Sequence, residues 1–310
     1  MSTKILLAVV GPTAIGKTSL GIQLAKYFNT EIISADSRQF FKEMEIGTAV
    51  PTTQELSEAP HNFIQHKSIF EPYSVGDFEK EAIALLANLF QKKEVVVMVG
   101  GSGLYVDAVI SGLDEFPQVD PKIRENLNLK LKEKGLVSLQ KELEQRDPEY
   151  YKTVDLDNPH RLIRALEVSI AANKPYSSFL NQPKKTRSFK SLYIGIEAPR
   201  EVIYERINAR VDLMMEAGLL EEARKLYPHQ NLNALQTVGY KELFEYIDGH
   251  CSLEFAVSEI KKNTRRFAKR QLTWLRKNED ILWVPYNSAP GEVLQMITDR
   301  LKTDNIYAKR

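Results

Sequence analysis

Eight residues near the start of the chain, Gly11-Pro12-Thr13-Ala14-Ile15-Gly16-Lys17-Thr18, constrain its fold more tightly than any other segment. They follow the pattern G-x-x-x-x-G-K-[ST], behind an apolar run over 5–10 and ahead of a helical pattern over 19–27. Strand, phosphate-binding loop and helix are therefore predicted in that order. The glycines let backbone amides converge on phosphate oxygens, and the first helical turn adds its dipole. Lys17 is then placed to reach the terminal phosphate, and the Thr18 hydroxyl to take Mg²⁺. The loop predicts a bound di- or triphosphate, and by itself leaves ADP, pyrophosphate and phosphate open as leaving groups.

Apolar runs backed by turn residues recur at 31–35, 95–99 and 192–196, with helical-period segments between them. That rhythm predicts an α/β fold of the P-loop NTPase-like kind, a parallel sheet flanked by helices. From 116 onward it is interrupted: helical patterns fall at 121–134, 136–145 and 159–173, and no convincing strand intervenes. We read 116–189 as an all-helical insertion domain and 1–115 with 190–310 as the catalytic core. The polar tract Pro183-Lys184-Lys185-Thr186-Arg187 reads as a loop closing the insertion. Two long helices are expected afterwards, at 200–227 and 253–277.

Composition narrows the function classes. With 43% apolar and 27% charged residues, global disorder is excluded. The 42 Lys and Arg against 41 Asp and Glu leave a formal charge of +1, so any surface for a polyanion has to be local. Cys251, the single cysteine, excludes an intrachain disulfide and a thiolate metal cluster, and it suggests a reducing compartment. The run over 5–10 is too short for a signal segment, and no stretch approaches the roughly 18 apolar residues of a membrane span. A cytoplasmic monomer with no membrane partner is the expectation.

Other residues extend the phosphate site. Asp36 follows the second strand, at the sheet edge where such folds place their ligands. Its spacing leaves open a general base, an outer Mg²⁺ ligand or a helix N-cap. The strand over 95–99 ends in Gly100-Gly101-Ser102-Gly103 with no carboxylate in the Walker-B position, which weakens the case for an ATPase. Ser102 is a candidate hydroxyl donor, although the glycines also suit a plain tight turn. Arg206 and Arg210 share one helical face, as a pyrophosphate clamp or as a solvated surface. Residues 261–277 contain eight Lys or Arg and no acid. On a helix most of these share a face, with Ile260, Phe267 and Trp274 opposite, so the helix is expected to dock through those three and show its charge to phosphate. Phe40, Phe41 and Tyr105 suit stacking, a lipophilic pocket or the core.

Taken in order, the motifs resemble one family over nearly the whole chain, the bacterial tRNA dimethylallyltransferases, also called tRNA isopentenyltransferases. The resemblance is carried by Gly11 to Ala14 with Gly16-Lys17-Thr18, by Ser34-Ala35-Asp36-Ser37 with Gln39, and by Met44 with Ile46-Gly47-Thr48-Ala49. It continues through Pro60-His61, Tyr73-Ser74 with Asp77-Phe78, Gly100-Gly101 with Gly103-Leu104-Tyr105, and Asn158-Pro159 with Arg161 and Arg164 to Glu167. Gly218-Leu219-Leu220, Gly239-Tyr240-Lys241-Glu242 and the run from Thr264 to Arg276 complete it. The resemblance implies that the P-loop holds the pyrophosphate of dimethylallyl diphosphate, with Mg²⁺ as cofactor. It implies that Asp36, with Ser102, acts on the exocyclic amine of the adenine 3′ of the anticodon, position 37, in tRNAs reading codons that start with U. It further implies RNA contacts at Ser37, Arg38, Gln39, Arg124, His160, Arg161 and Arg164, and at Gly239, Tyr240, Lys241, Lys269, Arg270, Gln271, Trp274 and Arg276.

The chain departs from the family pattern at Val50, where a Lys is common, at Asn62 and Gln65 in a segment that usually reads His and Asp, at His160 for Gln or Arg, and at Ser102 for Thr. Serine keeps the hydroxyl, whereas Val50 removes one candidate phosphate or RNA contact. The competing readings are a small-molecule kinase, which rests on the P-loop alone, an adenylate prenyltransferase, which shares the donor but needs neither the basic helix nor the insertion, and a non-catalytic P-loop RNA binder.

Overall fold

The computed structural model describes residues 3–183 and 185–303; Lys184 of the polar tract and 304–310 of the expected core lie outside the described residues. The chain forms two compact units, one from Met1–Ser111 with Thr186–Arg310 and one from Gly112–Lys185. Along the first run lie β1 (Ile5–Val10), α1 (Lys17–Tyr27), β2 (Ile32–Ser34), α2 (Thr53–Glu58), β3 (His61–Asn62), α3 (Val75–Lys92), β4 (Val95–Val99) and α4 (Gly103–Ser111). The second unit holds α5 (Pro121–Lys134), α6 (Leu136–Arg146), α7 (Pro148–Tyr151) and α8 (Pro159–Ala172). The first unit then resumes with β5 (Lys190–Glu197), α9 (Arg200–Glu216), α10 (Leu219–Leu226), α11 (Tyr240–Ile247), α12 (Leu253–Leu275), β6 (Leu282–Pro285) and α13 (Pro290–Thr303).

The six strands form one parallel sheet in the order β3-β2-β4-β1-β5-β6. β1 lies inside it, with Ile5 opposite Val95 on one side and Lys190 on the other, and all six of its residues are buried. A strand covered on both faces has no solvent side to supply polar residues, which is why it reads as an unbroken apolar run. One face packs Leu20, Ile22 and Leu24 of α1 with Ile203 and Ile207 of α9, and the other packs Phe78, Ala82 and Leu86 of α3. A third cluster joins Met44 to Leu219, Tyr240 and Leu243.

All four expected strands are present. Sequence patterning misses β3 and β6, which at two and four residues are too short to show a period, and β6 ends in a proline that an edge strand tolerates. The single helix expected over 200–227 is two, because Gly218 takes a left-handed conformation (φ 99°) that ends one helix and starts the next. The Ser74–Asp77 motif is a capping box for α3: Ser74 Oγ accepts from the Asp77 amide at 3.2 Å, and Asp77 Oδ2 accepts from the Ser74 amide at 2.9 Å.

The second unit has helices and no strand among its described residues, around a core of Leu127, Leu139, Leu143, Leu162 and Leu166. Its bounds fall four residues before those read from the sequence. The reason is local: Arg187 pairs with the buried Glu79 at 2.8 Å, and the Phe189 ring packs on Phe90, so both belong to the sheet unit.

A Cβ on Gly100 would lie 2.6 Å from the Ala35 carbonyl oxygen, so this glycine sets how closely the end of β4 approaches the end of β2. Gly100→Ala should lower the stability by about 1–3 kcal/mol, the usual range for overpacking a rigid site. Urea unfolding would show it, and a wild-type midpoint would contradict the close packing.

Candidate active site

Two cavities open at the carboxyl edge of the sheet in the first unit. One, of about 330 Å³, lies over the P-loop and is lined by Lys17, Thr18, Ser34, His61 and Val99 among others. The second, of about 420 Å³, has an apolar wall of Leu104, Tyr105, Val211, Met214, Phe267 and Trp274. Asp36, Arg210, Thr13, Thr48 and Ala49 line both. Asp36 and Arg210 thus stand where the space over the P-loop meets an apolar one.

Asp36 reaches this junction because β2 ends at Ser34 and a tight turn follows. Its Oδ1 accepts from the Arg38 amide at 3.1 Å, while the Gln39 amide donates to its carbonyl at 3.1 Å. The carboxylate therefore caps a turn; no helix follows for it to cap. Ser102 touches the same turn, with its Oγ 3.4 Å from the Ser37 amide and 3.3 Å from the Ser37 hydroxyl.

Lys17 donates to the Pro12 carbonyl at 2.8 Å. Burial pushes its ammonium down from 10.5 to about 8; the Asp36 carboxylate opposes that shift and the Arg210 guanidinium adds to it. Burial also lowers Arg210, against the pull of Asp36, yet a guanidinium stays charged at neutral pH. The two arginines of the predicted clamp divide. Arg210 faces both cavities, whereas Arg206 donates to the Ile15 carbonyl at 3.0 Å and stacks on Tyr286, holding the loop from behind. Thr18 and Asp36 bring a hydroxyl and a carboxylate to the wall of one cavity, hard oxygen donors that fit Mg²⁺ if diphosphate and water complete the shell.

Several residues expected to contact RNA are instead internal braces. Tyr240 is fully buried, with its hydroxyl donating to Glu222 at 2.6 Å, so it presents nothing to RNA. Gln271 is buried and spends both ends of its amide: Oε1 accepts from the Thr13 amide at 2.9 Å, and Nε2 donates to the Gly101 carbonyl at 2.9 Å. It ties the P-loop to the turn after β4. Gln39 donates to the carbonyls of Thr48 and Ala49, and Arg38 to those of Asn233 and Ala234. Arg38 also lines the apolar cavity.

Sequence reasoning misses Glu222. Its carboxylate accepts from the amides of Glu45, Ile46 and Gly47 at 2.8–3.0 Å as well as from Tyr240, fixing the loop that lines both cavities. The Gly218-Leu219-Leu220 motif just before it points to the segment, but the amides it holds lie about 175 residues away in sequence.

The long basic helix also needs correction. Ala256, Ile260, Ala268, Gln271 and Leu275 are its buried residues, while Phe267 (39% exposed) and Trp274 (46% exposed) line the apolar cavity and do not dock on the core. The Trp274 indole donates to Asp107 at 3.0 Å, which holds the ring at the cavity wall. Nor are all eight cations unopposed: Lys261 pairs with Asp212 and Lys262 with Glu259. Lys269, Arg270 and Arg276 are exposed, Arg270 stacking on Phe267. Gly239 lines the apolar cavity and Lys241 is exposed beside it in sequence. Phe40 and Phe41 belong to the core, whereas Tyr105 lines the cavity.

In the second unit, Arg124 and Arg164 both bind the buried Glu167, at 2.6 and 2.7 Å, and Arg164 stacks on Phe116. His160 and Arg161 are exposed at the start of α8. Among the departures, Val50 lines the P-loop cavity, Asn62 donates to Glu31 and Gln65 to the Lys42 carbonyl. The half-buried Cys251 sits at the edge of the third cluster.

Residues 39–278 match the protein family described as IPP transferase. The chain is 62% identical over 298 residues to a tRNA dimethylallyltransferase of Christiangramia forsetii, covering 96% of this chain and 99% of that one. It is 55% identical over 306 residues to the corresponding protein of Flavobacterium johnsoniae, covering 97% and 99%. Among solved structures it resembles the tRNA isopentenylpyrophosphate transferase of Bacillus halodurans, with a TM-score of 0.72, 36% identity and 97% and 98% coverage. It also resembles a eukaryotic dimethylallyltransferase acting on tRNA, with a TM-score of 0.81, 25% identity, and coverage of 99% of this chain and 81% of that one. No described helix is long and apolar enough to cross a membrane.

Gln271→Leu removes the partners of two backbone groups at the P-loop and the β4 turn. Leaving a buried polar group unpaired costs about 1–3 kcal/mol, so the variant should unfold at lower denaturant and bind diphosphate more weakly. Wild-type values for both would show that Gln271 is not the brace described.

Proposed function

The chain belongs to the IPP transferase family, and on that premise we propose that it moves a dimethylallyl group from dimethylallyl diphosphate to the exocyclic N6 amine of adenosine 37 of tRNA, releasing pyrophosphate. The single observation that carries the division of labour is the position of Asp36 on the wall shared by the two cavities. The diphosphate lies over the P-loop, where Lys17 and Arg210 meet its charge. The adenine enters the apolar cavity, flanked by Tyr105 and Trp274, after leaving its stack at a cost of a few kcal/mol.

The N6 lone pair forms a bond to the allylic carbon as that carbon's bond to the diphosphate oxygen breaks, and the electron pair leaves with pyrophosphate. Asp36 takes the N6 proton as the new bond forms, aided by a turn that already fixes one carboxylate oxygen. Enforced proximity supplies much of the rate, because an arylamine is a weak nucleophile and its approach is otherwise unassisted. Thr18 and Asp36 are the residues that would hold Mg²⁺, which would supply further charge neutralisation of the diphosphate. Ser102 holds the Asp36–Ser37 turn. RNA contacts are assigned to Ser37, Arg38, Arg270 and Trp274 at the cavity, to the exposed Lys241, Lys269 and Arg276 of the same unit, and to Arg124, His160, Arg161 and Arg164 of the helical unit. The substrates read codons beginning with U, and the enzyme acts as a cytoplasmic monomer.

Asp36→Asn keeps the size of the side chain and removes the base. Transfer to tRNA should fall about 10²–10⁴-fold, the usual worth of a positioned base, with diphosphate binding retained. Full transfer by this variant would end the assignment.

Lys17 gives a pH signature. Its folded-state pKa, about 8, lies below the ordinary 10.5, so the free enzyme loses this charge as pH rises through about 8 while the unfolded chain keeps it. Diphosphate affinity should therefore decline above that pH, and stability should rise between about 8 and 10.5, where the unfolded chain binds the extra proton. Calorimetry across this range tests both, with Lys17→Arg expected to flatten the binding curve; a wild-type affinity that is level across pH 8 would contradict the shift.

A further inference from the structure

We propose that the outer seam between α9 and α12 is a docking groove for the phosphodiester backbone of an RNA helix, reached by tRNA outside its anticodon loop. The inference rests on the reading of tRNA as the acceptor and extends it to a second surface.

The groove is a cavity of about 590 Å³ lined by five cations, Arg200 from α9 and Lys262, Arg265, Arg266 and Lys269 from α12, with no carboxylate on its walls. In a chain with 42 basic and 41 acidic residues, a concave patch of that kind is a local excess that composition alone does not produce. The way the arginines are held separates it from an ordinary surface ion-pair network. Arg200 and Arg265 both stack on the Tyr204 ring, at 4.9 and 5.6 Å, and Arg265 donates to the Asn208 side-chain oxygen at 2.7 Å. Arg266 donates to the Asn263 side-chain oxygen at 3.3 Å. A ring and amide oxygens orient a guanidinium without cancelling its charge. Elsewhere the chain does the opposite: Lys261 is matched by Asp212, and Glu167 takes both Arg124 and Arg164. Among the described residues, Lys262 is the one groove cation that pairs with a carboxylate within 4 Å, Glu259 on its own helix.

The placement says which part of a nucleic acid is met. At 3.6 residues per turn, Lys262, Arg265, Arg266 and Lys269 lie about half a turn around α12 from Thr264, Phe267, Gln271 and Trp274, which line the apolar cavity. A contact here is on the far side of the helix from the reacting base, so its partner has to extend beyond the loop. Oriented cations whose one aromatic ring, Tyr204, already carries two guanidinium groups suit phosphate oxygens, the feature by which RNA helices are gripped irrespective of sequence.

The test uses Arg200→Glu/Arg266→Glu, both exposed side chains away from the reacting groups, with Arg200→Gln/Arg266→Gln as the milder pair. Thermal unfolding checks that both remain folded. Binding to full-length tRNA and to a loop-only oligonucleotide is measured across a salt series. The reversal should weaken full-length tRNA about tenfold or more at low salt and reduce the log–log salt slope by roughly 2, close to one for each phosphate no longer neutralised. The glutamine pair should fall between. Loop-only binding should stay within about twofold, and transfer at saturating tRNA should match wild type. Unchanged affinity and slope for full-length tRNA would overturn the groove, as would an equal loss for both RNAs, which would place these side chains at the loop. Because binding is read without turnover, a wild-type chain that binds tRNA and transfers nothing would count against the active-site reading and leave the groove standing.

Discussion

The site depends on long side chains that satisfy loop backbone. A parallel sheet delivers its loops to one edge, and those loops have no ladder partners of their own, so amides and carbonyls there must find side chains or water. Gln271 joins the P-loop to the turn after β4, Glu222 gathers three consecutive amides of the loop after Met44, and Gln39 takes the next two carbonyls. Arg206 and Arg38 do the same for Ile15 and for the segment before α11. The amide braces are each worth about 1 kcal/mol and those from Glu222, Arg206 and Arg38, which are charged, about 1.5–3 kcal/mol. Together they tie the P-loop, the turn after β4 and the loop after Met44 to the rest of the unit.

That rigidity gives the charges their effect. Lys17 and Arg210 are both desolvated, which raises the strength of their attraction for a diphosphate while lowering their own preference for the charged state. Asp36 sits close enough to oppose both shifts, so the carboxylate proposed as the base also favours the charged form of Lys17. Val211, Met214 and Phe267 line only the apolar cavity, so this charged cluster stands between an apolar space and the polar one over the P-loop.

The phosphate cradle is legible in the sequence because its chemistry is contiguous: glycines, lysine and threonine fall within eight residues. Asp36 is legible because strand ends in such folds point at ligands. What spacing cannot supply are partnerships over long distances. Gln271 meets Thr13 across 258 positions, so a residue that reads as an RNA contact is in fact a brace. Tyr240 misleads for the same reason, since a tyrosine between glycine and lysine gives no sign that its hydroxyl is buried on Glu222. The apolar stripe of α12 shows in its periodicity, but period alone sends Phe267 and Trp274 to the core. The helix buries Ile260 as expected, but with Ala256, Ala268, Gln271 and Leu275 as its other buried residues, and it leaves the rings at the cavity. The edge strands β3 and β6 carry too few residues to show any period.

The most direct measurement of the central claim is mass spectrometry of nucleosides from tRNA incubated with the chain, Mg²⁺ and dimethylallyl diphosphate. A space for diphosphate and a space for a base that share Asp36 predict one adenosine, beside the anticodon, bearing a dimethylallyl group in place of one N6 hydrogen. Unmodified adenosine from tRNA that has demonstrably bound the folded protein together with the diphosphate would contradict it.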